Sequence, residues 1–156
     1  MKLICIVFLL LGVISYAQTK IIAPHPETGR EMFYFSEGLY KDYEIIRNYE
    51  SNRIDKKLKK GDKTVEILEH IHGIQFSEYD SHTHIKYVFV YNETKSLMVQ
   101  HIYFYSIETG VWKEYDTNGN IIKEEDMDAY YKITINDFVN LMKEQYKGYY
   151  VDYTKE

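Results

Sequence analysis

Histidine supplies the sharpest chemical hint in the chain. Two H-x-H pairs occur, "HIH" at 70 to 72 and "HTH" at 82 to 84. Residues two apart in a strand share a face, so each pair would offer two imidazoles side by side. A hairpin turning about Ser77 would set His70 opposite His84 and His72 opposite His82, with Gly73 and Asp80 at the ends of its loop. Four imidazoles converging in this way suit Zn²⁺ or Cu²⁺. The competing reading, and the preferred one, makes these ordinary polar positions on an exposed sheet face. Zinc at this site is the one cofactor considered; otherwise none is expected.

Other reactive arrangements fail on spacing. There is no H-E-x-x-H, and after "HTH" the places that a metallo-β-lactamase-like motif fills with Asp and His hold Lys86 and Tyr87. No G-x-S-x-G, P-loop or G-x-G-x-x-G occurs. The acidic run "EEDMD" at 124 to 128 lacks the alternating oxygen ligands and the glycine of a calcium loop, and reads as the solvated exit from a hairpin. A hydrolase acting on envelope glycans would need paired carboxylates in a cleft, which no spacing here announces. No catalysis is expected.

Aromatic residues recur at a fixed interval. "GLYKDYE" at 38 to 44, "IQFSEYD" at 74 to 80 and "GVWKEYD" at 110 to 116 align Tyr40, Phe76 and Trp112, then Asp42, Glu78 and Glu114, then Tyr43, Tyr79 and Tyr115. The functional reading is a row of binding positions: Tyr40, Tyr43, Phe76, Tyr79, Trp112 and Tyr115. The structural reading, which is preferred, is a repeated hairpin unit whose aromatics brace a sheet. Tyrosine is abundant, with 17 in the chain, and it serves both roles: it packs on pleated surfaces and it forms stiff amphipathic contacts.

The elements that must position these residues can be read in order. Residues 1 to 18, "MKLICIVFLLLGVISYAQ", have a positive start, an apolar run from Leu3 to Ile14 and a small-x-small ending. This predicts a secretory signal peptide and a secreted or periplasmic protein. The run is too short for a membrane span, so none is expected in the mature chain. The single cysteine, Cys5, lies inside this leader, which leaves the mature protein without disulfides or a thiol nucleophile. Losing Lys2 with the leader takes the net charge from −5 to −6, which argues against a nucleic-acid partner. The locally basic "KKLKK" at 56 to 60 reads as a solvated approach to a turn.

Residues 19 to 30, with Pro24 and Pro26, predict an extended lead-in. Residues 31 to 156 then form one β-rich domain. "TVEILEHI", "IKYVFVYN", "LMVQHIYFYS", "VWKEYD" and "IIKEED" read as strands, joined by short turns at "NETK", "IETG" and "TNGN". Taking Glu93-Thr94 as a two-residue loop sets Val88 opposite Val99 and Val90 opposite Leu97. Asn118-Gly119 suits a type I′ turn. The stretch from 39 to 60 leans towards strands, although its charge spacing also allows a helix. A helix spans 135 to 147, with Thr134 as N-cap, Asp137 closing a capping box, Ile133 and Phe138 as a hydrophobic staple, and an apolar stripe of Ile135, Phe138, Val139, Met142 and Tyr146 ending at Gly148. The fold class is α+β: an antiparallel β-meander of hairpins with one C-terminal helix packed on the sheet.

"GVWKEYDTNGNIIKEE" resembles one unit of the MORN-like repeat variant of bacterial proteins of the YwqK type. Gly110, Trp112, Tyr115, Gly119, Ile121 and Glu124 fill its pattern. With the helix that follows, it is similar to small secreted proteins of the Bacteroidota. The resemblance implies stacked β-hairpins, and the antitoxin label that some YwqK-type proteins carry implies protein binding. The expected function is therefore a non-catalytic module that binds a protein partner through a tyrosine-rich sheet face or edge. A metal-binding protein using the paired histidines and an envelope glycan hydrolase are the alternatives.

Overall fold

The computed structural model describes residues 23–50 and 54–145. The leader and the positions of Tyr146 and Gly148 lie outside them. Eight strands form one sheet: β1 (Glu44–Glu50), β2 (Ile54–Lys60), β3 (Lys63–His70), β4 (Gly73–Asp80), β5 (Ile85–Tyr91), β6 (Leu97–Phe104), β7 (Ile107–Tyr115) and β8 (Ile121–Asp126). Spatial order equals chain order and each neighbouring pair is antiparallel, so the sheet is a meander. One helix, α1 (Ile135–Gln145), follows. The stretch from 39 to 60 is mostly strand, and "KKLKK" lies within β2, where Leu58 enters the core.

Register departs from expectation where side-chain hydrogen bonds lengthen a turn. Val88 pairs with His101 and Val90 with Val99, because β5 and β6 are joined through Asn92–Ser96 rather than through two residues. The Asn92 side chain accepts from the amides of Thr94 and Ser96, the Lys95 amide reaches the Asn92 carbonyl, and Lys95 takes φ 61°. Asp116–Asn120 repeats this loop. Asp116 accepts from the amides of Asn118 and Asn120, and Gly119 stands at φ 87° in the place of Lys95. Asn118 is not among the positive-φ residues, so the loop is not type I′. β6 turns into β7 at Tyr105-Ser106, and "IETG" belongs to β7 itself. Removing the Asn92 side chain leaves two loop amides without their acceptor. Asn92→Ala is expected to lose about 1 kcal/mol in urea unfolding, with unchanged far-ultraviolet dichroism; an unchanged midpoint would contradict this account of the loop.

The sheet has one covered face. Val65, Ile67, Ile74, Phe76, Phe89, Tyr91, Leu97 and Tyr115 are buried there. Their cover is the N-terminal segment 23–43, here called the strap, and not the helix. Ala23, His25, Met32, Phe33 and Tyr40 of the strap are buried against it. The strap folds back on itself through the Pro24–Glu31 bridge, runs past β6 through the Tyr34–Ser96 bridge, and ends in a 3-10 turn at Glu37–Tyr40. The Tyr91 hydroxyl donates to the Met32 carbonyl at 2.9 Å. Two residues within the expected lead-in, Ala23 and His25, are thus part of the core, buried with Met32 and Phe33 against the sheet.

The capping box of α1 forms as expected: the Asp137 amide donates to Thr134 Oγ1 at 3.1 Å, and the Thr134 amide to Asp137 Oδ2 at 3.2 Å. The hydrogen bonds from Thr134 hold the Asp137 carboxyl below its usual range. The helix does not lie across the sheet. Its first turn faces Phe104, Ile107 and Thr109 at the β6–β7 corner, and Phe138 remains 42 % exposed.

Candidate functional site

The four histidines do not converge. Ser77 sits in the middle of β4, and β3 turns into β4 at Ile71-His72, so His70 pairs with Gly73. His70 and His72 therefore lie at one end of β4, while His82 and His84 occupy the loop at its other end. A strand of 8 residues separates the pairs. His70 Nδ1 accepts the His72 amide, and the Tyr79 hydroxyl meets His84 Nδ1 at 3.1 Å, with the His84 ring stacked on Tyr105. Among the described residues no three His, Cys, Asp or Glu side chains group to hold one ion.

The aromatic row divides between core and surface. Tyr40, Phe76 and Tyr115 are buried, so they are not available to a partner. Tyr40 and Phe76 touch each other with ring centroids 5.2 Å apart, across the strap–sheet boundary. Tyr40 lies in a 3-10 turn and Tyr43 just before β1, so the first copy of the motif is not a strand like the others. Tyr79 and Trp112 stand on the opposite, uncovered face, and Tyr43 packs edge-on against Tyr40 at the margin of the core.

Beneath the strap lies a polar cluster that the spacing did not announce. Arg30 Nη2 donates to Glu78 Oε1 at 2.8 Å and to the Tyr40 hydroxyl at 2.6 Å, and the Tyr40 hydroxyl donates to the same carboxylate. His25 is fully buried. Its Nδ1 accepts from the amides of Glu27 and Thr28, which places the ring proton on Nε2. That nitrogen stands 3.4 Å from Glu78 Oε2, a long polar contact without a formed hydrogen bond. Burial works against the Glu78 charge, but His25, Tyr40 and Arg30 outweigh it and hold the carboxyl at about 2. Burial, joined by the Glu78 charge, pushes the Tyr40 phenol far up. Both shifts make the groups poor proton carriers near neutrality. Glu78 is consumed in fastening the strap, and the cluster is a structural clasp rather than an acid–base pair.

Glu27, Glu78 and Asp80 line one small hollow, in which Glu78 is tied to Arg30 and Tyr40. The hollow at Asp62 and Asp80 is open, and both acids serve loops: Asp80 accepts from the amides of His82 and Thr83, and Asp62 from the Ser81 hydroxyl.

What remains available is the uncovered face. The pairing register puts Leu68, Gln75, Val88, Val90, Val99 and Tyr103 on one side of the central strands. The five apolar side chains are half-buried by their neighbours alone, and Gln75 is exposed. Trp112 stacks on His101 at 3.7 Å with a 12° interplanar angle, and Tyr103 lies 5.9 Å away. Burial pushes the His101 imidazole below its ordinary range and so favours the neutral ring in this stack. Ion pairs flank the strip, with Arg47–Asp55 and Lys57–Glu66 towards β1 and Lys123–Glu125 towards β8. The residues that carry the repeat resemblance form the β7–β8 hairpin at the edge of this face. No family model, curated protein or solved structure matches the chain.

Proposed function

We propose that this protein is a secreted or periplasmic, non-catalytic module that binds a protein partner through the open face of its sheet. The observation that supports the reading is the apolar and aromatic strip from Leu68 to Trp112, which no described element covers. A flat surface with an apolar centre and a rim of ion pairs has the layout of a protein–protein contact. Stiff rings such as Trp112 and Tyr103 supply contact area at low entropic cost. The resemblance of residues 110 to 126 to a MORN-like hairpin points the same way. The metal reading is the weaker alternative, because the two histidine pairs stand at opposite ends of β4.

Photo-crosslinking in the native envelope tests this reading. A benzophenone side chain at Gln75, exposed on the open face, is expected to trap a discrete partner. The same group at Lys41, exposed on the strap, is expected not to. Val90→Lys should abolish the adduct while leaving the fold intact, because a charge there meets the partner's apolar surface. Equal trapping from both positions, or an adduct that survives Val90→Lys, would rule out the open face.

A further inference from the structure

A cavity of about 190 Å³ opens at the β6–β7 corner, between the first turn of α1 and the end of the sheet. Its walls are Phe104, Ile107, Tyr131, Ile133, Ile135 and Phe138. The polar groups beside it are already engaged with one another. The Thr109 hydroxyl donates to Asp128 Oδ1 at 2.5 Å, and the Gly110 amide donates to the same oxygen at 3.1 Å. We propose that this cavity is a binding site for the apolar part of a small uncharged ligand, an aromatic ring or a short alkyl chain.

Size, wall chemistry and charge together choose the occupant. A dry apolar cavity of about 150 Å³ is enough to take a benzene ring. Drug-sized ligands need roughly 300 Å³ or more, so this one fits a single ring or a chain of similar bulk. Thr109 and Asp128 are bonded to each other and the other walls are apolar, so a polar group carried deep into the cavity would lose hydration with little to replace it. Exposed Glu108 and Lys132 also line the cavity and bring one charge of each sign, so neither sign of ligand charge is favoured. Ile107 and Ile133 are 49 % exposed at the lip, an entry path that an apolar molecule would dry. A membrane surface is the wrong partner for this corner. The described helix carries Asp137 and Glu144 against Lys143, whereas helices that bind anionic lipid are rich in Lys and Arg.

The proposal does not depend on the sheet-face reading. Toluene is the probe. Titrated into methyl-labelled full-length protein, it is expected to give saturable shifts at the Ile107, Ile133 and Ile135 methyls, with nuclear Overhauser contacts from the toluene ring to them. Ile133→Trp should fill the mouth and weaken binding at least tenfold. Ile46→Trp, on the exposed edge strand β1, should leave it unchanged and show that an added indole does not act by itself. Shifts that never saturate, or Ile133→Trp binding toluene as the parent does, would overturn the proposal. So would contacts from the Tyr146, Tyr149 or Tyr150 rings to those methyls in ligand-free protein, since the chain's own end would then be the occupant.

Discussion

Gly73→Ala is expected to cost about 3 kcal/mol or more of folding stability, a large fraction of the roughly 5–15 kcal/mol that holds a typical domain folded. Gly73 opens β4 at φ 136°, a conformation that side-chain-bearing residues rarely adopt. A Cβ at this position would lie 2.0 Å from the Tyr91 carbonyl oxygen and 3.1 Å from the Asn92 carbonyl carbon. Both obstacles are backbone, Tyr91 held by the ladder between β4 and β5 and Asn92 by its hydrogen bond to the Ser96 carbonyl, so neither swings aside as a side chain would. Gly61 provides the control: it also has positive φ, 59°, but its Cβ would meet nothing within 4 Å. Gly61→Ala should therefore lose only the left-handed penalty, about 1 kcal/mol. Urea unfolding of the two variants separates clash from conformation. If Gly73→Ala falls no further than Gly61→Ala, the close approach to Tyr91 has no energetic weight.

Glu78→Gln is the second large effect. The substitution keeps the shape of the side chain and removes the charge that answers Arg30. Breaking a fully buried ion pair typically costs about 3–5 kcal/mol, but the Arg30 side chain is 31 % exposed and water answers part of its charge, so a loss of about 2 kcal/mol is expected. The pH dependence has a definite sign. Glu78 is held at about 2 in the folded protein against an ordinary 4.5, so the fold favours its ionised form. That contribution is fully present above 4.5 and is lost as pH falls towards 2. Parent and variant should thus differ most above pH 4.5 and draw together in strong acid. A gap in urea midpoint that stays constant from pH 6 to pH 2.5 would show that the carboxylate charge is not what fastens the strap.

The meander was legible in the sequence because runs such as "IKYVFVY" and "LMVQHIYF" combine β-branched and aromatic residues and are punctuated by turn formers. Loop lengths were not. Asn92 and Asp116 each accept amides from residues further along the loop, and this side-chain turn lengthens the connection beyond the two residues that pattern alone suggests. The register of β5 against β6 moved with it. The histidine cluster failed for a related reason: Gly73 looked like the end of a loop, yet its positive φ starts a strand, and Ser77 lies buried in mid-sheet. The strap as cover of the sheet is not legible in the sequence, because α1 announces itself by period whereas Met32, Phe33, Phe35 and Tyr40 follow no period at all. In the sequence Glu78 stands out only as the acid of a repeated motif. Its partners His25 and Arg30 are distant in the chain and carry no spacing signal.

The neighbour-to-neighbour order of the strands also decides how the molecule comes together. Every ladder joins adjacent segments, so hairpins can zip in sequence with little loop-closure entropy to overcome. The strap, although synthesised first, is the exception: its contacts span 48 residues from Arg30 to Glu78 and 59 from Met32 to Tyr91. It can only dock once β4 and β5 exist to receive it. Docking is then a late event on the folding route, and the emerging N-terminal segment must wait, with Met32 and Phe33 unsheltered, until the ribbon it will close has been knitted.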